Sequence, residues 1–191
     1  MAQGRGLAEP ELLLLNGVRV PSDFSLECRC VTDRIAIGGM IGTAANVASL
    51  RRERVTHVIN LQQGFDDAPI LAGTGVALCW LGVPDALPSF PEGALRRAVE
   101  FARGAALDPG YRLYLHCMAG RSRSPLFAYA ILRSAGWGGS DAAAAIARAD
   151  AAALLRPEHA DAVERFLRSD HGPARPGGAT AQPVTEDREG R

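Results

Sequence analysis

No lysine occurs among the 191 residues, so all 21 basic side chains are arginine. That absence excludes a phosphate loop built on lysine, a lysine Schiff base and a lysine-anchored pyridoxal cofactor. The 21 acidic residues cancel the arginines to a formal net charge of zero. Without a basic excess, the chain is expected to bind neither nucleic acid nor an anionic membrane as a whole. Long apolar runs are also missing: Leu12 to Leu15 is too short for a signal core or a membrane span, and polar residues follow it. Cysteine is sparse and unevenly placed, at Cys28, Cys30, Cys79 and Cys117. Free thiols and a reducing, cytoplasmic setting are therefore expected, with a monomer as the default.

What is present is enough for one ordinary core. Hydrophobic residues make up 47% of the chain, which removes the need for disulfide or metal staples. Residues 1–20 read as a partly ordered N-terminal extension, with Met1 to Pro10 loose. From His171 to Arg191 the chain has three prolines, four glycines and almost no bulky apolar side chain. That segment cannot bury enough surface to offset its ordering entropy, so a disordered tail is expected. The folded unit is expected over residues 21–170.

Within it, strands and helices alternate. Arg34 to Gly38 reads as a strand, Thr43 to Arg54 as a helix, and Val55 to Leu61 as a strand rich in β-branched residues. Val76 to Leu81 is a continuous apolar run, as in a strand covered on both faces. Ser89-Phe90-Pro91-Glu92 has capping-box spacing before a helix with Leu95, Ala98, Val99 and Ala102 on one stripe. Tyr111 to Leu115 is another strand. Ser124-Pro125 then opens a helix whose body, Leu126 to Leu132, is apolar nearly all round and should be buried. Two more helices follow, one capped by Ser140 and one started by Pro157. The pattern predicts an α/β fold with a mainly parallel twisted central sheet flanked by helices.

Chemistry concentrates in His116-Cys117-Met118-Ala119-Gly120-Arg121-Ser122-Arg123-Ser124-Pro125. A cysteine ends a strand, and after five residues an arginine enters a helix. Loop N–H groups and the free N–H groups of the first helical turn converge there on an anion. Arg123 can add two parallel hydrogen bonds to phosphate oxygens. The same field favours the Cys117 thiolate, a nucleophile at neutral pH. Gly120 suits a tight return of the backbone. Cysteine and arginine at this spacing are weak evidence alone, with roughly 0.4 chance matches on this composition. Indeed Cys28 and Arg34 share the spacing. That copy lacks glycine, places Asp33 inside the loop and leads into a strand, so it is read as inert.

The Cys117 segment, with Ala128-Tyr129 beyond it, resembles the signature of dual-specificity protein phosphatases, within the cysteine-based tyrosine phosphatase superfamily. The resemblance extends over about Ile35 to Leu167 and includes the Val55 to Leu61 strand. It implies a catalytic domain over 21–170, with the Cys117-to-Arg123 loop between a central strand and a buried helix. It further implies a metal-free, cofactor-free hydrolase that acts on a phosphorylated protein through a phosphocysteine. In that scheme Cys117 is the nucleophile. Arg123 and the loop amides of Met118, Ala119, Gly120, Arg121 and Ser122 bind phosphate, and Ser124 hydrogen-bonds the departing sulfur. The family's acid is an aspartate on a loop after a strand, and Val83-Pro84-Asp85 ends such a strand 32 residues before Cys117.

Other readings stand beside these. Asp66 and Asp67 compete with Asp85 for the acid role, or are plain loop acids. His116 either tunes the thiolate or simply satisfies hydrogen bonds at a strand end. Arg121 is a solvated charge or deepens the positive field at the mouth. Cys79 is read as core before redox partner, His57 as structural, and Cys28 with Cys30 as too few ligands for zinc. Rival functions are a phosphoinositide or other non-protein phosphatase of the same superfamily, a rhodanese-type sulfurtransferase, and a non-catalytic phosphoprotein-binding module.

Overall fold

The computed structural model describes residues 12–15, 18–21, 26–85 and 91–169. The loose stretch expected over residues 1–10 and the tail expected over 171–191 lie outside them, as does Ser89. In the N-terminal region, β1 (Leu12–Leu15) and β2 (Val18–Pro21) pair antiparallel, with Leu15 opposite Val18. The sequence reading did not anticipate this hairpin. Its signal is the intervening Asn16-Gly17, the dipeptide most favoured in two-residue hairpin connections.

The main sheet has five strands: β3 (Arg29–Cys30), β4 (Ile35–Gly38), β5 (His57–Asn60), β6 (Ala77–Trp80) and β7 (Leu113–His116). Their spatial order is β3-β4-β7-β5-β6, with β3 antiparallel to β4 and the other neighbours parallel. Register and side-chain alternation divide the core into two layers. Ile37, Leu115 and Ile59 sit opposite one another and join the larger cluster, while Ala36, Tyr114 and Val58 sit opposite one another and join the smaller. A period of two on strands buried on both faces produces this arrangement. The β6 strand departs from expectation. It is the sheet edge, with Ala77 and Trp80 exposed and only Leu78 and Cys79 half-buried. An apolar run alone does not separate an edge strand from a central one.

On one face lie α1 (Ala44–Arg52) and the short α2 (Ala68–Leu71), with Leu50 and Leu71 in the smaller cluster. On the other lie α3 (Glu92–Ala105), α4 (Arg123–Ser134), α5 (Gly139–Ala149) and α6 (Pro157–Arg168). As its composition requires, α4 is buried at every residue from Arg123 to Leu132, and it packs against α3, α5 and α6. Thr43 caps α1 through a reciprocal box with Asn46. Two expected caps are absent. The N-cap of α3 is Pro91, without a side-chain bond, so the Ser89 box spacing does not start the helix. The N-cap of α5 is Gly138, and Ser140 falls inside the first turn. Pro157 opens α6 as expected.

Candidate active site

The chain leaves β4 through α1 to β5, passes the β6 edge and α3, and returns along β7 between β4 and β5. Such a reversal of strand order opens a crevice at the carboxyl ends of the strands, where open α/β sheets bind ligands. Cys117 stands there, one residue beyond β7 and 2% exposed. The loop that follows turns on Gly120 at φ +74° and enters α4 at Arg123. A side chain at Gly120 would bring a Cβ within 2.4 Å of both the Gly38 carbonyl oxygen and an Arg29 nitrogen. The glycine is therefore required by conformation and by space.

Arg123 is 4% exposed, and its guanidinium is oriented from behind. Nη1 donates to the carbonyl of Leu61 at 3.1 Å and to that of Val83 at 2.9 Å. Nη2 lies 2.8 Å from Asp85 Oδ1, and buried Nε has no protein partner. The edge formed by Nε and Nη2 is the one a bidentate oxyanion uses. Asp85 itself is exposed on the loop after β6, so that loop brings it to the arginine.

Two opposing influences act on Cys117. Burial pushes its thiol up. The Ser124 hydroxyl, the Ser124 backbone, the Arg123 charge and the Gly120 backbone pull it down, and together they prevail. Dipoles directed at the sulfur and a nearby cation favour the thiolate. The Ser124 side chain is fully buried, and its hydroxyl has no hydrogen-bond partner of ordinary geometry. Burial instead dominates at the other shifted cysteines: Cys28 is pushed up to about 12, and Cys79 is also raised. The Cys28 and Arg34 spacing builds no cradle, because Arg34 turns to the carbonyls of Pro109 and Tyr111.

The remaining sequence candidates take distinct places. His116 is fully buried behind the loop, with Nε2 2.6 Å from Oδ2 of an equally buried Asp67. Asp67 is thus neither a free loop acid nor able to reach a ligand. Asp66 is exposed and accepts the Ala68 N–H at 2.8 Å, which occupies it in a local turn. Met118 is half-buried with its sulfur 3.9 Å from Gln62 Nε2, Ala119 and Arg121 are exposed, and Ser122 precedes α4. His57 packs edge-to-face on Phe101, a structural role. Cys79 lies opposite Ile59, which lies opposite Leu115. Two strand spacings place it about 10 Å to the side of β7, too far for a disulfide to Cys117 without backbone movement. Among the described residues no group of three potential ligands could hold a metal ion, and no helix is long and apolar enough to cross a membrane.

Three features escaped the sequence reading: the Asp67 partner of His116, the Leu61 and Val83 carbonyls that aim Arg123, and Arg29. Arg29 Nη2 donates to the Ala119 carbonyl at 3.0 Å from 90 residues away. None has a local sequence signal, since each joins segments distant in the chain.

No family model and no curated protein matches the sequence. Solved structures do. PTPMT1 in complex with PI(5)P matches with a TM-score of 0.63 at 22% identity, over 71% of this chain and 91% of that one. DUSP15 matches with a TM-score of 0.63 at 22% identity, over 77% and 90%. Human DUSP28 matches with a TM-score of 0.60 at 23% identity, over 71% and 92%. The chain is thus similar in fold to cysteine-based tyrosine phosphatases, dual-specificity phosphatases among them.

Proposed function

We propose that the chain hydrolyses phosphomonoesters on proteins, with phosphotyrosine the favoured substrate, through a phosphocysteine on Cys117. One observation carries this reading: a buried thiol biased towards thiolate shares its loop with an arginine whose buried Nε has no protein partner and whose Nη2 meets the exposed Asp85. The Cys117 sulfur attacks phosphorus in line, and the bond to the ester oxygen breaks. Asp85 gives that oxygen its proton, and Arg123 with the loop N–H groups holds the equatorial oxygens. Asp85 then takes a proton from the water that displaces sulfur, releasing phosphate, while the Ser124 hydroxyl stabilises the departing thiolate. Each cycle starts from a reduced Cys117, which fits a reducing, cytoplasmic setting.

The protein substrate is favoured by the charge of the mouth. Arg121 is the sole exposed cation of the loop, and the lysine-free chain offers no ammonium beside it. That suits one phosphate more than a headgroup bearing several. The alternative, a phosphoinositide, is favoured by the similarity in fold to a PTPMT1 captured with PI(5)P. Phosphate release from a phosphotyrosyl peptide, a phosphothreonyl peptide and PI(5)P vesicles, measured side by side, separates the two. The highest kcat/KM is expected on the phosphotyrosyl peptide, and a higher value on PI(5)P would overturn the protein assignment.

A further inference from the structure

Three carbonyls of the loop point away from its centre, and each is held by a different segment. The Met118 carbonyl accepts the Met40 N–H at 3.1 Å, and the Arg121 carbonyl accepts the Leu154 N–H at 2.6 Å. The Ala119 carbonyl accepts from the Arg29 guanidinium at 3.0 Å. A trans peptide is planar, with its C=O and N–H pointing opposite ways. Holding the carbonyl of one residue outward therefore aims the N–H of the next residue inward. For Ala119 the next residue is Gly120, whose backbone dipole is among the influences that lower the Cys117 thiol.

Of the three clamps, only this one is charged, and charge-assisted hydrogen bonds are roughly twice as strong as neutral ones. Arg29 is built into its place. Its side chain is 16% exposed, Nη1 lies 3.2 Å from Asp150 Oδ2 at the end of α5, and the Asp150 side chain is 10% exposed. Glu27, 3.5 Å away and largely exposed, adds little. Nη2 also fills the space a side chain at position 120 would need.

We propose that Arg29 is a positioning residue for the anion loop: it orients and polarises the Ala119–Gly120 peptide so that the Gly120 N–H stays turned into the loop that Cys117 opens, with Asp150 holding Arg29 in register. The inference deepens the phosphatase reading but is testable without turnover. Arg121, Ser122, Arg123 and Ser124 of the loop and the start of α4, with Asp85, Gln62, Tyr114 and the Asp67–His116 pair around it, are unchanged in every variant below.

The experiment is the rate of Cys117 alkylation by iodoacetamide as a function of pH, with thermal unfolding recorded on the same samples. Arg29→Ala is expected to move the alkylation profile about one pH unit upward, equivalent to a tenfold loss of thiolate at neutral pH. Arg29→Lys, which keeps the charge without the fork, is expected to recover part of the shift, and Asp150→Asn to reproduce a smaller shift in the same direction. An unmoved profile in folded Arg29→Ala, whatever its melting temperature, would overturn the proposal. Should that variant fail to fold, Arg29→Gln decides by the same criterion. If the shift appears but the wild-type protein hydrolyses no phosphomonoester, the functional reading fails and the positioning role stands.

Discussion

Asp85 Oδ1 lies 2.8 Å from Arg123 Nη2, pairing a carboxylate that is 75% exposed with a guanidinium that is 4% exposed. The carbonyls of Leu61 and Val83 fix the inner side of that guanidinium, so the carboxylate rests on its outer, ligand-facing edge. An oxyanion that takes Nε and Nη2 together meets that carboxylate at Nη2. Under the proposed assignment, the acid and the phosphate site are therefore coupled through one nitrogen.

That coupling gives opposite expectations for binding and turnover in Asp85→Asn. Orthovanadate should bind at least as tightly as to wild type, because the competing charge is gone. Turnover of a phosphotyrosyl peptide should fall about 10²- to 10³-fold, the usual contribution of a positioned acid. The loss should be smaller with an aryl ester whose leaving group needs no proton. Unchanged peptide turnover would remove Asp85 from the acid role.

Thiol reactivity should separate the cysteines. Cys117 is lowered despite its burial, whereas Cys28 is pushed up to about 12 and Cys79 is raised. Since the thiolate is the reactive form, iodoacetamide at pH 7 should label Cys117 well ahead of Cys28 and Cys79, and phosphate should protect it. The advantage should shrink as pH rises and ordinary thiols ionise. Mass mapping of the labelled peptides reads this directly, and preferential labelling of Cys79 or Cys28 would contradict it.

The Asp67–His116 pair should matter for stability. Removing one partner of a fully buried pair leaves the other without compensation, at a cost of about 3–5 kcal/mol. Asp67→Ala is expected to lose stability on that scale in urea unfolding. Asp67→Asn, which keeps an oxygen to accept the Nε2–H, should lose clearly less. Equal losses would mean that the hydrogen bond contributes little.

Gly120→Ala tests the geometry of the loop. The added methyl meets the Gly38 backbone and Arg29, in a left-handed conformation that disfavours side chains. Because Gly38 belongs to β4, the loop is the part that must move. Orthovanadate affinity should fall at least about tenfold, or 1.4 kcal/mol, and wild-type affinity, measured by inhibition or calorimetry, would show that the loop tolerates the shift.

Much of this arrangement is legible in the sequence, for identifiable reasons. The Leu126 to Leu132 run, opened by Ser124-Pro125 and apolar nearly all round, reads as a buried helix, and α4 is one. The Cys117-to-Arg123 loop is contiguous in the chain, so its residues are legible together, although distant segments hold its carbonyls and aim Arg123. Asp85 is singled out by the family resemblance together with its position after a strand, and it meets Arg123 in space. By contrast, Val76 to Leu81 reads as a strand covered on both faces and is a half-exposed sheet edge, because an apolar run does not encode which neighbours a strand acquires. Asp67 looked like a loop acid because its partner His116 is 49 residues away. Arg29 passed unnoticed because its role depends on how β3, the loop and the end of α5 meet. Ser140 and Ser89 carried cap chemistry, but the helices start at other residues.

The most direct test of the central claim is phosphate release from a phosphotyrosyl peptide in EDTA, by wild type and by Cys117→Ser. Release by the wild type that disappears in the variant, while orthovanadate still binds the variant, is the result the arrangement of Cys117, Arg123 and Asp85 predicts. Release that survives Cys117→Ser, or no release from a wild type with its thiol reduced, would contradict it.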